Sequence, residues 1–226
     1  MHSIFNPDNP LIRFMEKVAN LMLLNLAFAI SCLPVFTIGP AITALYYMAM
    51  KMVRDEETGI FKGFFHSFKQ NFKQGMILSI IMLGLIALML FNWYYVRHVE
   101  GNFAFLQTAL ILVYTALTAG LLLILNYVFP VLARFYLTIK QVILTSLLFA
   151  IRHWVCTLFM LIISAIPVIL YILPSYIYGY VLLFYFLIGF AAVAFVHSYF
   201  LVYIFDKERA RQLKEQEEAK EAEENQ

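Results

Sequence analysis

The chain has 226 residues, of which 63% are hydrophobic and only 13% charged, with a formal net charge of +2. Soluble domains carry roughly 25% charged residues, so this composition excludes an ordinary soluble enzyme and indicates an integral membrane protein. The near-neutral balance gives no support for a nucleic-acid-binding surface, and no nucleic-acid partner is expected.

The first apolar run follows a leader containing Asp8 and Glu16 and is too long for a cleaved signal peptide, so it is expected to persist as a helix. A helix opening near Pro10, with Asn9 as its cap, should end near Leu33, because Pro34 lacks an N–H and disfavours helical geometry in the residue before it. Gly39 then permits a turn, with positive φ the expected reason, and Pro40 suits the first position of a new helix. Two readings of Pro34, Gly39 and Pro40 remain open. They punctuate the end of a span, or they break a helix whose freed backbone groups face a solute cavity.

Further uncharged runs lie between Lys73 and Arg97, Glu100 and Arg134, and Arg152 and Asp206. A helix needs roughly 20 residues to cross the hydrocarbon core, so the last run holds two spans, separated near Pro174, Ser175 and Gly179. The expected fold is all-α: a polytopic helical membrane protein with about five transmembrane helices and amphipathic cytoplasmic elbow helices. The spans are placed at Val18 to about Ile38, Gly75–Val96, Phe103–Phe129, Val155–Leu173 and Ile177–Phe205, within a membrane domain of residues 1–205. Residues 206–226 form a charged tail that reads as a solvated helix fraying into disorder.

Basic residues concentrate in 51–74, 134–153 and the tail, against Arg13, Lys17 and Arg97 elsewhere. Lys and Arg are retained on the cytoplasmic side, so five crossings predict a cytoplasmic C-terminus and an extracellular N-terminus in a cell membrane. A first segment that re-enters, leaving both ends inside, is the rival. In 60-IFKGFFHSFKQNFKQ-74 the rings of Phe61, Phe64, Phe65, Phe68 and Phe72 recur at helical spacing, which predicts a helix lying at the lipid headgroups or packed on its own protein. A faint echo relates Pro40, Tyr46 and Lys51 to Pro130, Tyr136 and Lys140, as a parallel repeat or as coincidence.

No phosphate loop, metal motif, zinc-binding helix or nucleophile elbow is present, so no catalytic residue, metal or cofactor is assigned and an enzyme is not expected. Cys32 and Cys156 read as small buried hydrophobes. Polar residues inside spans are better leads, because burying one demands a partner or a cavity. Asn126, Pro130 and Arg134 share one helical face running from membrane to cytoplasm. Their alternatives are a polar pathway, or a packing hydrogen bond beside a kink with Arg134 snorkelling to the interface. Asn20 and Asn25 read as packing residues of the first span, and His197 as either a proton shuttle or a hydrogen-bonded packing residue.

The segments 5-FNPDNPLIRFMEKVANLMLLNL-26, 32-CLPVFTIGPAITALYYMAMKMVRDEE-57 and 64-FFHSFKQNFKQG-75 resemble the YesL-like family of bacterial membrane proteins. The resemblance is densest in the first 75 residues and thins through the later spans and the tail. Members are often encoded beside carbohydrate importers and sugar-degrading enzymes in Gram-positive bacteria. The resemblance therefore implies a setting, an accessory partner of the subunits of a membrane transport complex, and transfers no site residue. A small solute or ion transporter in its own right is the alternative, although the interior between Gly75 and Val96 offers only Ser79 and Asn92.

Overall fold

The computed structural model describes residues 10–56, 59–98, 104–170 and 178–224, and among these the regular structure is entirely helical. The expected turn near Pro174 and Ser175, and the Asn9 cap, lie outside the described residues. In chain order the helices are α1 (Pro10–Ser31), α2 (Ile38–Val53), α3 (Ile60–Gln70), α4 (Phe72–His98), α5 (Ala104–Arg134), α6 (Ile139–Arg152) and α7 (Trp154–Leu170). The last described segment is one rod, α8 (Tyr178–Phe184) passing through a π-helical turn (Tyr185–Gly189) into α9 (Phe190–Glu224).

Among the described residues four helical stretches are long and apolar enough to cross a bilayer: Pro10–Ser31, Phe72–Val96, Thr108–Arg134 and Tyr178–Arg211. α6 and α7 supply a fifth if taken as one span, but they bend by 101° at their junction. Thr138 and Gln141 form a capping box that starts α6, so α6 begins as a helix of its own. At the bend, the Thr157 hydroxyl lies 3.2 Å from the Ala150 carbonyl and 3.0 Å from that of His153, and Tyr127 donates to it from α5. Large apolar side chains along α1, α4, α5, α7 and α8 are exposed, as expected where the surrounding solvent is lipid.

The chain does not leave α1 on the far side of a simple crossing. α2 folds back along α1, burying Leu24 and Phe28 of α1 in one core with Ala41, Ala44, Leu45 and Met48 of α2. Lys17, near the start of α1, pairs with Asp55, just beyond the end of α2, at 2.8 Å. The neighbouring Arg54 pairs with Asp206 at the beginning of the charged tail. The start of α1, the end of α2 and the start of the tail therefore meet at one end of the molecule, where five simple crossings predict opposite ends. The reason is the short α2, whose 16 residues make a return limb of about 24 Å at 1.5 Å per residue. In the sequence Pro40 marks the start of a new helix, but not the direction that helix takes.

Local chemistry explains both ends of this hairpin. At the tip the Thr37 hydroxyl lies 2.6 Å from the carbonyls of Ser31 and of Pro34, and the Thr37 N–H donates to Pro34. At the other end Asp55 takes a left-handed φ of 53°. The Glu56 N–H reaches back to the Lys51 carbonyl and the Asp55 N–H to that of Met52, a Schellman closure with Asp where Gly is usual. The Lys17 ammonium, by its hydrogen bond first and its charge second, holds the exposed Asp55 carboxyl below the usual carboxylate range.

α3 resolves the aromatic stripe into two faces. Phe64 is fully buried against α1 and α2 and stacks on Phe68, whereas Phe61 and Phe65 are exposed. Packing on its own protein thus takes Phe64 and leaves Phe61 and Phe65 exposed on the same helix. The internal echo does not carry over. Pro40, Tyr46 and Lys51 all lie within α2, but Pro130 sits near the end of α5, Tyr136 in a connection where it is 91% exposed, and Lys140 in α6.

Candidate functional site

Lys51 and Arg54 stand three residues apart at the end of α2, so they share a face, and the turn at Asp55 stops the helix just beyond them. α3 packs on α2 so closely that a Cβ on Gly63 would lie 2.4 Å from the Met48 sulfur. That contact brings His66, Gln70 and Asn71 alongside. The third wall comes from the end of α5, where Pro130 cannot donate to the carbonyl four residues back and the helix stops at Arg134. Together these elements enclose a cavity of about 270 Å³, lined also by Tyr47, Glu56 and Tyr136.

The cavity is cationic. Lys51, Arg54 and Arg134 line it, and Glu56 is the only acidic residue doing so among the described residues. The Lys51 ammonium sits 5.0 Å from the centre of the Tyr47 ring, a cation–π contact. Arg54 shares its charge with Asp206. Half-buried Arg134 has no described carboxylate within ion-pair distance. Gln70 donates to the Tyr136 hydroxyl at 2.8 Å and so ties α3 to the α5–α6 connection across the cavity. Beside it, Glu208 of α9 is buried against Arg152 at 3.0 Å and His153 at 3.3 Å. Among the described residues no three His, Cys, Asp or Glu side chains gather where they could hold a metal ion.

Of the residues singled out in the sequence, only Arg134 belongs to this cavity. Asn126 lies on the same helix but donates to the Leu122 carbonyl of its own α5 at 2.8 Å, and Pro130 is buried. Asn25 is fully buried between α1 and the π-helical turn. Its amide donates to the carbonyls of Tyr185 at 3.1 Å and Phe186 at 2.6 Å, and its oxygen accepts from the Ala191 N–H at 3.0 Å. A π-helical turn shifts the regular hydrogen-bond ladder, and Asn25 supplies the partners that the shift displaces. His197 is buried, with Nδ1 hydrogen-bonded to the Tyr46 hydroxyl at 3.0 Å.

Pro34 stands at the tip of the α1–α2 hairpin, and its carbonyl is occupied by Thr37. Gly39 and Pro40 are buried in the first turn of α2. Gly39 is helical and not in the left-handed region, and Pro40 is the third residue of the helix and not its first. Pro tolerates that position because the first four N–H groups of a helix have no intrahelical acceptor. What requires glycine at position 39 is α4: a Cβ there would lie 2.2 Å from the Gly75 carbonyl oxygen, and one on Gly75 would lie 2.9 Å from the Pro40 nitrogen. Arg54 and His66 were missed in the sequence, and Lys51 and Tyr136 entered it only through the internal echo, not as site residues. The clustering of basic residues in 51–74 was the available signal for Lys51 and Arg54.

The protein-family model described as "Protein of unknown function, DUF624" matches residues 21–93, which cover the second half of α1, all of α2 and α3, and most of α4. Over that region the chain is similar to the family, and its helices are those of a polytopic membrane protein. The chain is 24% identical over 161 residues to "Uncharacterized protein YesL" of Bacillus subtilis (strain 168), a match covering 71% of this chain and 74% of that protein. No solved structure matches the chain. The region matched by the family model contains the α2 and α3 walls of the cavity and the Gly39–Gly75 contact. Arg134 and His197 lie beyond it.

Proposed function

We propose that this YesL-like protein is a non-enzymatic accessory subunit of a membrane transport complex, a carbohydrate importer being the class that the family setting favours. The observation that carries this reading is the fate of the polar groups within the apolar helices. Asn25 is satisfied by the π-helical turn, Thr43 by the Gly39 carbonyl, Ser146 by that of Val142, Ser198 by that of Ala194, and Tyr127 is paired with Thr157. A solute pathway needs polar groups presented to a cavity inside the membrane. Here they bind the bundle to itself, and the polar cavity lies where the charged helix ends meet. Membrane subunits copurifying with a tagged chain from the native host in mild detergent, with no uptake of mono- or disaccharides by the chain alone in vesicles, is the expected result. Uptake by the purified chain alone would instead establish the transporter alternative.

The same reading places the protein in the cell membrane with its charged end in the cytoplasm. Once Arg13 and Lys17 join the basic side through the Lys17–Asp55 pair, Arg97 alone is assigned to the opposite side. Reporter fusions at the N- and C-termini should both score as cytoplasmic. An extracellular N-terminus would contradict the paired α1–α2 hairpin as it sits in the membrane.

A further inference from the structure

We propose that the cavity between α2, α3 and the end of α5 binds a phosphate-bearing anion. This goes beyond the accessory reading and does not depend on it. Lys51, Arg54 and Arg134 line the cavity against Glu56, and with Arg54 paired to Asp206 the remaining positive excess falls on Lys51 and Arg134. A half-buried guanidinium with no carboxylate at ion-pair distance has lost part of its hydration without a replacement, and an anion in the cavity supplies one.

The donor set argues for phosphate over a simple carboxylate. A guanidinium presents a planar fork that matches two phosphate oxygens, an ammonium adds a point charge, and a phosphate has a further oxygen to satisfy. Tyr136 fits that third place: its hydroxyl accepts from Gln70, so its own proton is available to donate. Size excludes a bare ion as the whole occupant. About 270 Å³ is several times the ~30 Å³ share of one water, which leaves room for a small organic group on the phosphate.

Two sources carry this chemistry, the headgroup of an anionic phospholipid and a soluble phosphate ester. The full chain is studied in maltoside micelles, which contain no phosphate. Phosphatidylglycerol is titrated in one arm and glucose 6-phosphate or glycerol 3-phosphate in the other, with the thermal midpoint and the apparent affinity as readouts. Arg134→Gln and Lys51→Gln each keep size and remove a charge from the lining. Lys69→Gln removes an exposed charge of α3 outside it.

Loss of a charge-assisted hydrogen bond should weaken binding about ten-fold or more for Arg134→Gln and Lys51→Gln. Lys69→Gln should stay within about two-fold of the parent, as expected of a screened surface charge. A response confined to phosphatidylglycerol assigns the site to a lipid headgroup, one confined to the esters assigns it to a soluble ligand, and both together support a shared phosphate site. Binding in neither arm, or equal losses in all three variants, overturns the proposal. Should Arg134→Gln fail to fold, Lys51→Gln against Lys69→Gln still decides it.

Discussion

Asn25→Ala should lower the stability of the folded protein by about 3 kcal/mol, because it strands several buried backbone groups at once, each at about 1–3 kcal/mol. The wild-type side chain meets the carbonyls of Tyr185 and Phe186 and the N–H of Ala191, three groups displaced by the π-helical turn. Asn25 is fully buried, so removing its amide leaves these groups away from solvent. In detergent the unfolding midpoint should fall by roughly 5 °C or more, given about 2–4 °C per kcal/mol for a chain of this size. Asn25→Asp should not rescue it, since a carboxylate keeps the contact with the Ala191 N–H but turns an acceptor toward the two carbonyls. A midpoint within a degree of wild type for both variants would mean that the turn satisfies itself, and the role assigned to Asn25 would be lost.

That site illustrates what the sequence could and could not convey. Asn25 was conspicuous as a polar residue in an apolar span, and the need for a buried partner followed from physics alone. The identity of the partner did not, because hydrogen bonding from residue i to i+5 has no side-chain signature and the turn lies 160 residues away from Asn25. The apolar spans were legible because the bilayer imposes a minimum length on any uncharged helix. The direction of α2 was not: Pro40 marks where a new helix starts, but at 16 residues it falls short of a crossing and nothing local says that it folds back along α1. The Lys17–Asp55 pair that sets the start of α1 beside the end of α2 arises only from that packing. The cationic cavity was illegible for a different reason. Arg134 comes from a helix far along the chain from Lys51 and Arg54, and only packing brings the three together.

Gly39→Val should be the most damaging change at the hairpin tip. Positive φ is not the cause, since Gly39 lies in the first turn of α2 with helical backbone. The cause is the approach of two backbones: any Cβ at position 39 would meet the Gly75 carbonyl oxygen at 2.2 Å and the Ser79 Cβ at 2.7 Å. Neither is the yielding end of a flexible side chain, so α2 and α4 must separate, and overpacking of this kind typically costs about 1–3 kcal/mol, occasionally more. Gly39→Ala should already show most of the effect, because the first carbon makes the clash and the valine methyl groups only add to it. Gly75→Ala should reproduce it from the other side, where the obstacle is the Pro40 backbone. Pro34→Ala should be mild by comparison. Its neighbour Leu33 is 80% exposed, the Ser31 and Pro34 carbonyls are held by Thr37, and no cavity depends on them. The four variants are compared by thermal unfolding and by yield of monodisperse protein in one detergent. Losses for Gly39→Ala, Gly39→Val and Gly75→Ala beside a near-wild-type Pro34→Ala would confirm that this stretch joins α2 to α4. A normally folded Pro34→Ala protein that has lost its cellular role would return the break to the solute-site reading.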